Sequence, residues 1–294
     1  DFGDSWAVHY WEHSNWPRTN ILNKYNDNLK PNNSINSINI CSIFRNDESY
    51  LNNYFVPKMN LLKKYYPNLQ FYFYIYENDS TDNTKKVLNN FMKLNKGKLI
   101  TEDLGNNSFP RDTSFERIQN ICNCRNKHLE MRPFLGDWSI FIDSDIEFPN
   151  NIIERFICKK LPKDLVGLTC NGVDHLNCRI NKNKNHYFDT LAFIDDKNNS
   201  AFLKFIKKGP NSCPFTEKDD IKRWEDGKLI KTNSSFGGMA FYKTLIINNI
   251  DVKYKVEYIN KTKYCCEHFG FNNKLLKYGN IYSDPTFIVR NIET

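Results

Sequence analysis

The sequence predicts an α/β fold in which a mostly parallel sheet is flanked by helices. Short apolar runs without polar alternation recur between residues 37 and 142, and helical segments separate them. Runs of this kind indicate strands that are buried on both faces, as in parallel sheets. The chain has 294 residues and is 40% hydrophobic, which suffices for one large domain or two small ones.

The predicted strands of the first half are "SINICSIF", "LQFYFYIY", "GKLITED" and "WSIFI". Three helical segments connect them: "DESYLNNYFVPKMNLLKKYY", "STDNTKKVLNNFMKL" and "TSFERIQNICNCRNKHLEM". The second of these opens on Ser, Thr and Asp, which are typical of a helix start. This alternation predicts a Rossmann-like half over residues 37–149.

The second half, residues 150–294, is predicted to be less regular. It contains a strand, "LVGLTCNG", a polar segment to about residue 230 and the compact run "SSFGGMAFY". A helix, "EHFGFNNKLLKYG", and a strand, "NIYSDPTFIV", follow. Irregular segments of this kind favour a second binding site built from loops. Residues 1–36 lack a period and are predicted to form an arm packed on the domain.

Charge and cysteine content narrow the class of protein. The formal net charge is +7, but lysines are scattered and no segment interleaves arginine with aromatic residues, which argues against a nucleic-acid partner. A mild positive field suits an anionic small substrate and also a plain solvated surface. The nine cysteines do not pair into zinc knuckles, and free thiols in a reducing compartment predict a cytoplasmic protein.

Two further expectations concern the chain's context. No apolar stretch approaches the roughly 20 residues that cross a bilayer. The sequence opens at Asp1 without a signal-peptide pattern, so we expect a mature protein or an excised catalytic region of a longer one.

Asp143 and Asp145 follow the apolar run "WSIFI" at the end of the fourth predicted strand. Ligands of open parallel sheets bind beyond the carboxyl ends of the strands. Two carboxylates there repel each other unless a cation lies between them, and Mg²⁺ or Mn²⁺ would leave coordination sites for diphosphate oxygens. The small side chain of Ser144 would let a phosphate approach. The alternative is a solvated pair at a strand end.

The second strand ends at "ENDSTDNT", which contains Glu77 and Asp79. These acidic groups are candidates to bind a ribose or a base edge. The alternative is that Ser80, Thr81 or Asp82 caps the following helix.

Arg125 lies on the inward stripe of the third predicted helix, because Ile118, Cys122, Arg125 and Leu129 are spaced 4, 3 and 4 residues apart. A guanidinium in that position needs an anionic partner, either a strand-end aspartate or the diphosphate of a substrate. Arg117 lies about 80° around the same helix and is a second candidate. A purely structural ion pair is the other reading.

Four segments, "FRNDESYL", "YIYENDSTDNT", "RIQNICNCRN" and "FIDSDIEF", resemble in this order the nucleotide-sugar half of GT-A glycosyltransferases with an Asp-x-Asp motif. Three later segments, "YFDTLAF", "SSFGGMAFY" and "CCEHFGFNNKLLKYGNIYSDP", are similar to the fungal capsule-associated mannosyltransferase family and related enzymes. The resemblance covers about residues 37 to 290. It implies transfer of a sugar from a UDP-sugar or GDP-mannose to a hydroxyl of a glycan or protein.

The resemblance also implies roles for residues. Asp143 and Asp145 would hold Mn²⁺ or Mg²⁺, Glu77 and Asp79 would face the nucleoside, and Arg125 would support the aspartates. In resembling transferases a late histidine can complete the metal shell, which would be His268 here. Glu267 would then act as a base or position a substrate. The alternative is that His268 caps a helix and Glu267 is solvated.

Four other residues have both a binding and a structural interpretation. Asp189 in "YFDT" would hold hydroxyls of the donor sugar or be an ordinary loop acid. Gly237 and Gly238 would let the acceptor approach the backbone or would only form a turn. Trp224 would stack on a sugar or serve as packing. The sequence does not predict an oligomeric state.

Two other functions compete with this interpretation of the sequence. A sugar-phosphate nucleotidyltransferase would carry a glycine-rich loop after the first strand, where this chain has "RNDESY". A catalytically inactive carbohydrate-binding protein on a transferase fold would be expected to have a broken Asp-x-Asp motif, which is intact here.

Overall fold

The computed structural model describes residues 35–105, 114–173, 189–203, 218–258 and 264–291. The arm predicted for residues 1–36 lies almost wholly outside these ranges. The strands are β1 Ser37–Phe44, β2 Gln70–Asn78, β3 Gly97–Glu102, β4 Trp138–Ile142, β5 Ile146–Glu147, β6 Leu165–Val173, β7 Ile194–Asp195, β8 Ile230–Ser234, β9 Met239–Lys243 and β10 Asn280–Asn291.

The helices of the same ranges are α1 Glu48–Tyr50, α2 Val56–Tyr65, α3 Thr84–Lys93, α4 Phe115–Leu129, α5 Ile152–Cys158, α6 Lys218–Glu225, α7 Thr244–Asn249 and α8 Glu267–Leu275. A π-helical turn, Leu51–Phe55, joins α1 to α2. In the described part of the chain, no helix has both the length and the apolar character that crossing a bilayer requires.

The strands form one sheet in the order β3-β2-β1-β4-β9-β6-β10-β8-β7, and β5 pairs with β10. The first four positions are parallel to one another, and β6 is parallel to β10. Strands β9, β8 and β5 run in the opposite direction to the others, so seven of the ten described strands share one direction. The prediction of a mostly parallel sheet flanked by helices is confirmed.

Alternate residues of the strands enter opposite cores, which explains why the apolar runs lack polar alternation. In β2, Phe73 and Ile75 pack against the side of the sheet covered by α2 and α3. Tyr74 and Tyr76 pack on the other side, where α4 and α8 lie. Full burial of one such aromatic side chain is worth about 1.5–3 kcal/mol, so both faces stabilise the same strand.

The sheet gathers the carboxyl ends of β1, β2 and β4 at one edge. Phe44 at the end of β1 pairs with Glu77, and Ser42 pairs with Ile142 of β4. The end of β10 reaches the same edge, because Asn291 pairs with Ile146. Polar residues that follow these strands are therefore neighbours in space although they are far apart in sequence.

Candidate functional site

Asp143 and Asp145 lie directly beyond β4 at this edge. The Asp143 N–H donates to the Gly238 carbonyl oxygen at 3.0 Å, which continues the pairing of β4 with β9. Asp145 Oδ2 accepts from Asn291 Nδ2 at 2.8 Å. Burial and the negative charge of Asp143 raise the pKa of Asp145 to about 7. The pair is thus placed where a cation between the two carboxylates would relieve their repulsion.

Arg125 is a buried cation that joins two elements of the site. Its Nη2 donates to Asp143 Oδ1 at 2.7 Å, and its Nε donates to Glu267 Oε1 at 3.0 Å. Burial disfavours the charged guanidinium, but Asp143 and Glu267 outweigh this cost and raise the pKa of Arg125. Of the two anionic partners predicted for Arg125, the structure shows the strand-end aspartate, Asp143.

Arg117 is placed differently. It lies eight residues before Arg125 on α4, about 12 Å along the helix axis, and it is half-buried. Its backbone N–H donates to Ser114 Oγ at 3.2 Å, which caps the helix. The structure does not bring its side chain to the aspartates.

Glu267 and His268 form the first turn of α8. Both are buried, so the solvated alternative for Glu267 does not apply. The His268 ring stacks on Phe236 with centroids 3.7 Å apart, and its Nε2 is 3.4 Å from Glu267 Oε1. Burial and the charge of Arg125 lower the pKa of His268 well below its ordinary value. The imidazole is therefore neutral at pH 7.

The three predicted metal ligands are not assembled as a group. Among the described residues, no set of three or more His, Cys, Asp and Glu side chains is arranged to hold a metal ion. Stacking on Phe236 fixes the plane of the His268 ring, and neither ring nitrogen has a hydrogen-bond partner among the described residues. Two carboxylates nevertheless fit an ion such as Mg²⁺ that takes its remaining ligands from water and substrate phosphates.

Asp189 lies against the glycine turn that precedes β9. Its Oδ2 accepts from the Gly237 N–H at 3.0 Å. The pKa of Asp189 is raised to about 7 because the carboxylate is withdrawn from water, with further contributions from the charges of Asp143 and Glu267. Asp189 is half-buried, its bond to Gly237 holds it at the site, and its pKa lies near neutral pH.

Gly237 and Gly238 have φ values of 69° and 81°, a region that favours glycine. A Cβ at Gly237 would overlap the Cys170 carbonyl oxygen, and a Cβ at Gly238 would overlap the Ile146 side chain. The turn alternative accounts for both residues, and contact of either with an acceptor stays a prediction.

Trp224 lies on α6 and is 7% exposed. It packs in a small cluster with Phe193, Ala201 and Ile230. This placement is the packing alternative, and it does not support the predicted stacking of Trp224 on a sugar.

Glu77 and Asp79, at the end of β2, differ in whether a carboxylate oxygen lacks a hydrogen-bond partner. Asp79 accepts at Oδ1 from the Leu104 N–H at 2.6 Å and the Gly105 N–H at 3.0 Å, and at Oδ2 from Asn78. Glu77 Oε1 accepts from the Ser80 N–H at 2.9 Å, whereas its buried Oε2 has no partner among the described residues. Glu77 therefore retains a hydrogen-bond acceptor, and Asp79 serves the loop.

The helix-start alternative for "STDNT" is also realised in part. Asp82 Oδ1 accepts from the Thr84 N–H at 3.0 Å, while Asn83 occupies the cap position without a side-chain bond.

Sequence reasoning missed Asp47 and Asn291. Asp47 is 8% exposed, follows β1, and accepts from the Arg45 N–H at 2.8 Å. Burial raises its pKa to about 6. Its signal was available, since "FRND" directly follows a strand whose carboxyl end faces the site. Asn291 had none, because only the pairing of β10 with β5 brings it to Asp145.

Comparison with solved structures places this architecture among known folds. GalNAc-T7 with UDP, GalNAc and Mn²⁺ superposes with a TM-score of 0.52 at 13% identity, over 88% of this chain and 44% of that one. S. aureus TarS 1-349 in complex with UDP-GlcNAc gives 0.49 at 12% identity, over 88% and 59%. Mannosyltransferase PcManGT from Pyrobaculum calidifontis in complex with GDP-Man and Mn²⁺ gives 0.47 at 10%, over 90% and 59%.

The sequence itself matches no protein-family model and no curated protein. The chain spans roughly half the length of the solved structures, between 44% and 59%. The similarity to the fungal capsule-associated mannosyltransferases stays a resemblance of sequence segments. At these identities the likeness to GalNAc-T7 concerns the fold, and the described chain has the fold of GT-A glycosyltransferases.

Proposed function

We propose that this chain is a metal-dependent glycosyltransferase that moves a sugar from a nucleoside-diphosphate donor to a hydroxyl of a glycan or protein. The observation that supports it best is the pair of carboxylates beyond β4, braced by the buried Arg125, on a GT-A sheet. A structural ion pair alone would not require a second carboxylate whose pKa is raised to about 7.

The donor would bind along the carboxyl ends of β1, β2 and β4. Glu77 Oε2 has no partner among the described residues and is fully buried, so it would accept from a base or ribose only after the residues that cover it move. Asp143 and Asp145 would hold Mn²⁺ or Mg²⁺, which supplies positive charge to neutralise the leaving diphosphate when it is bound. Arg125 orients Asp143, since its Nη2 donates to one oxygen of that carboxylate.

Asp189 is better placed than Glu267 to touch the reacting hydroxyl. Glu267 is 6% exposed and is engaged by Arg125, so it acts on Arg125 and not on solvent-accessible substrate. Asp189 is half-buried and its pKa of about 7 suits proton transfer near neutral pH. It would accept the proton of the acceptor hydroxyl in an inverting reaction or position donor hydroxyls in a retaining one.

The decisive experiment incubates the protein with Mn²⁺ and a panel of UDP-sugars and GDP-mannose and measures release of UDP or GDP. We expect slow hydrolysis of one donor, loss of hydrolysis with EDTA, and loss in Asp143→Asn and Asp145→Asn. Asp251→Asn, an exposed acid beyond α7, is the control that should retain full activity.

Two outcomes would overturn the proposal. Pyrophosphate-dependent formation of UTP or GTP from a nucleotide sugar would identify the nucleotidyltransferase instead. Binding of glycans without turnover of any donor would identify an inactive carbohydrate-binding protein.

A further inference from the structure

Two tyrosines of the helical segment after β1 form hydrogen bonds with the backbone that follows Asp145. The Tyr50 hydroxyl donates to the Ile146 carbonyl oxygen at 2.7 Å. The Tyr54 hydroxyl donates to the Phe148 carbonyl oxygen at 3.1 Å and accepts from the Phe148 N–H at 2.6 Å. The backbone of residues 146–148 is thus hydrogen-bonded at every second residue to one face of this helical segment.

The same helical segment also lies beside the Asp-x-Asp turn. Asp47, immediately before α1, is close enough to Ser144 for that side chain to lower its pKa. Residues 50 and 54 are four apart, which places them on one side of a helix. Their partners 146 and 148 are spaced by two, as on one side of an extended chain. The two periodicities therefore match over the two tyrosine contacts.

Aromatic packing fixes the tyrosines in this arrangement. The rings of Tyr50 and Tyr54 are 5.4 Å apart, and Tyr54 meets Phe148 edge-on at 6.0 Å. The π-helical turn Leu51–Phe55 begins directly after Tyr50 and contains Tyr54, so the two tyrosines are related by a wider turn than in a regular α-helix. Turns of this kind recur at functional sites in helices.

The opposite side of the segment is held by β10. Glu147 pairs with Arg290, and Asn291 Nδ2 donates to Asp145 Oδ2 at 2.8 Å. Asp145 therefore lies in a turn directly before a two-residue strand, and that strand is held from both sides.

We propose that Tyr50 and Tyr54 are positioning residues of the diphosphate site, which hold the chain after Asp145 so that its carboxylate faces the same cation as Asp143. This inference rests on the proposed function. Both hydroxyls contact the backbone of Ile146 and Phe148, so both tyrosines would act through the backbone of residues 146 to 148.

The test compares Tyr50→Phe, Tyr54→Phe and the double variant, which lose hydroxyls and keep the rings. Mn²⁺ binding is titrated by electron paramagnetic resonance in the absence of nucleotide. We expect the dissociation constant for Mn²⁺ to rise about fivefold for each single variant and more than tenfold for the double variant. Hydrogen exchange at residues 144–148, above all at the Phe148 amide, should accelerate in parallel.

Tyr74→Phe is the matched control. Tyr74 is buried in β2, and its hydroxyl accepts from the Leu135 N–H at 3.1 Å, away from the aspartates. The control should lose thermal stability comparably and keep the parent's Mn²⁺ affinity. Equal Mn²⁺ affinity in the parent and the double variant would overturn the inference, as would an equal loss of affinity in Tyr74→Phe.

Failure of the proposed function gives a different result. If the parent binds no Mn²⁺, the metal site is wrong, and the tyrosine contacts are judged by hydrogen exchange alone. Unchanged exchange at residues 144–148 in the double variant would then overturn the positioning role, whereas faster exchange confined to that segment would support it.

Discussion

At the scale of single residues, the site depends on one buried cation shared by two carboxylates. The side chains of Arg125 and Glu267 are 8% and 7% exposed, whereas that of Asp143 is 32% exposed. Removing the guanidinium would therefore leave Glu267 as the more costly unpaired charge, because water can reach Asp143. The position of Arg125 on the inward face of its helix made its burial predictable. Its partner Glu267 is 142 residues away, and no local sequence pattern indicates that contact.

Arg125→Met should lower the free energy of unfolding by about 3–5 kcal/mol, the range for breaking a buried ion pair. Adding Glu267→Gln should recover much of this loss, because the orphaned charge is removed with its partner. Urea unfolding followed by circular dichroism measures both variants. A single variant as stable as the parent would show that Glu267 is not buried as described.

Asp189 links the site to a pH dependence of stability. Its folded-state pKa is raised to about 7, against about 3.9 for an unfolded chain. Between these values the native state binds a proton that the unfolded state has lost, so stability falls as the pH rises through this window and is level above it. Water screens part of the effect, since Asp189 is half-buried.

Asp189→Asn should match the parent's stability near pH 4 and exceed it above pH 7 by on the order of 1 kcal/mol. The amide can still accept the Gly237 N–H, so the turn is preserved. Unfolding free energies measured from pH 4 to pH 8 provide the test, and donor turnover should fall at every pH. A constant difference between variant and parent would contradict the raised pKa.

At the scale of elements, the parallel half was predicted well because β1, β2 and β4 are apolar runs buried on both faces, whereas β3 is a partly exposed edge strand. The π-helical turn was missed, since nothing in "LNNYF" distinguishes it from ordinary helix. In the second half, β8 reads "IKTNS" and was not predicted as a strand. Its buried Thr232 and Ser234 are satisfied by hydrogen bonds to Ser235 and Asn272, which sequence reasoning does not foresee.

The glycine turn before β9 offers a graded test of backbone constraint. Gly105 has φ 72° and open space around it, so Gly105→Ala should cost only the left-handed strain, about 1–2 kcal/mol. Gly237→Ala adds an overlap with a backbone carbonyl and should cost roughly 2–5 kcal/mol. Thermal unfolding of the two variants gives the comparison, and equal costs would mean that the turn moves aside easily.

At the scale of the whole molecule, the boundary near residue 149 divides the sequence but not the sheet. β9, from the second half, lies between β4 and β6 and pairs with both. Asp143 continues that pairing through Gly238, and Asn291 near the chain's end holds Asp145. The position of the two aspartates was predictable, because the order of strands and helices along the first half can be recognised from neighbouring residues. The elements that complete the site come from more than 90 residues later in the chain.

This topology predicts that the two halves unfold together. Separating them would expose the β4 edge and detach β9 from both neighbours, so neither half retains a complete sheet. Hydrogen exchange in increasing urea, read separately from peptides of residues 35–105 and 218–258, should give one common midpoint. The fragment 35–149 alone should fail to fold cooperatively, since its β4 edge would lack a partner. Two separate midpoints, or a cooperatively folded fragment, would show that β9 docks on the first half without stabilising it.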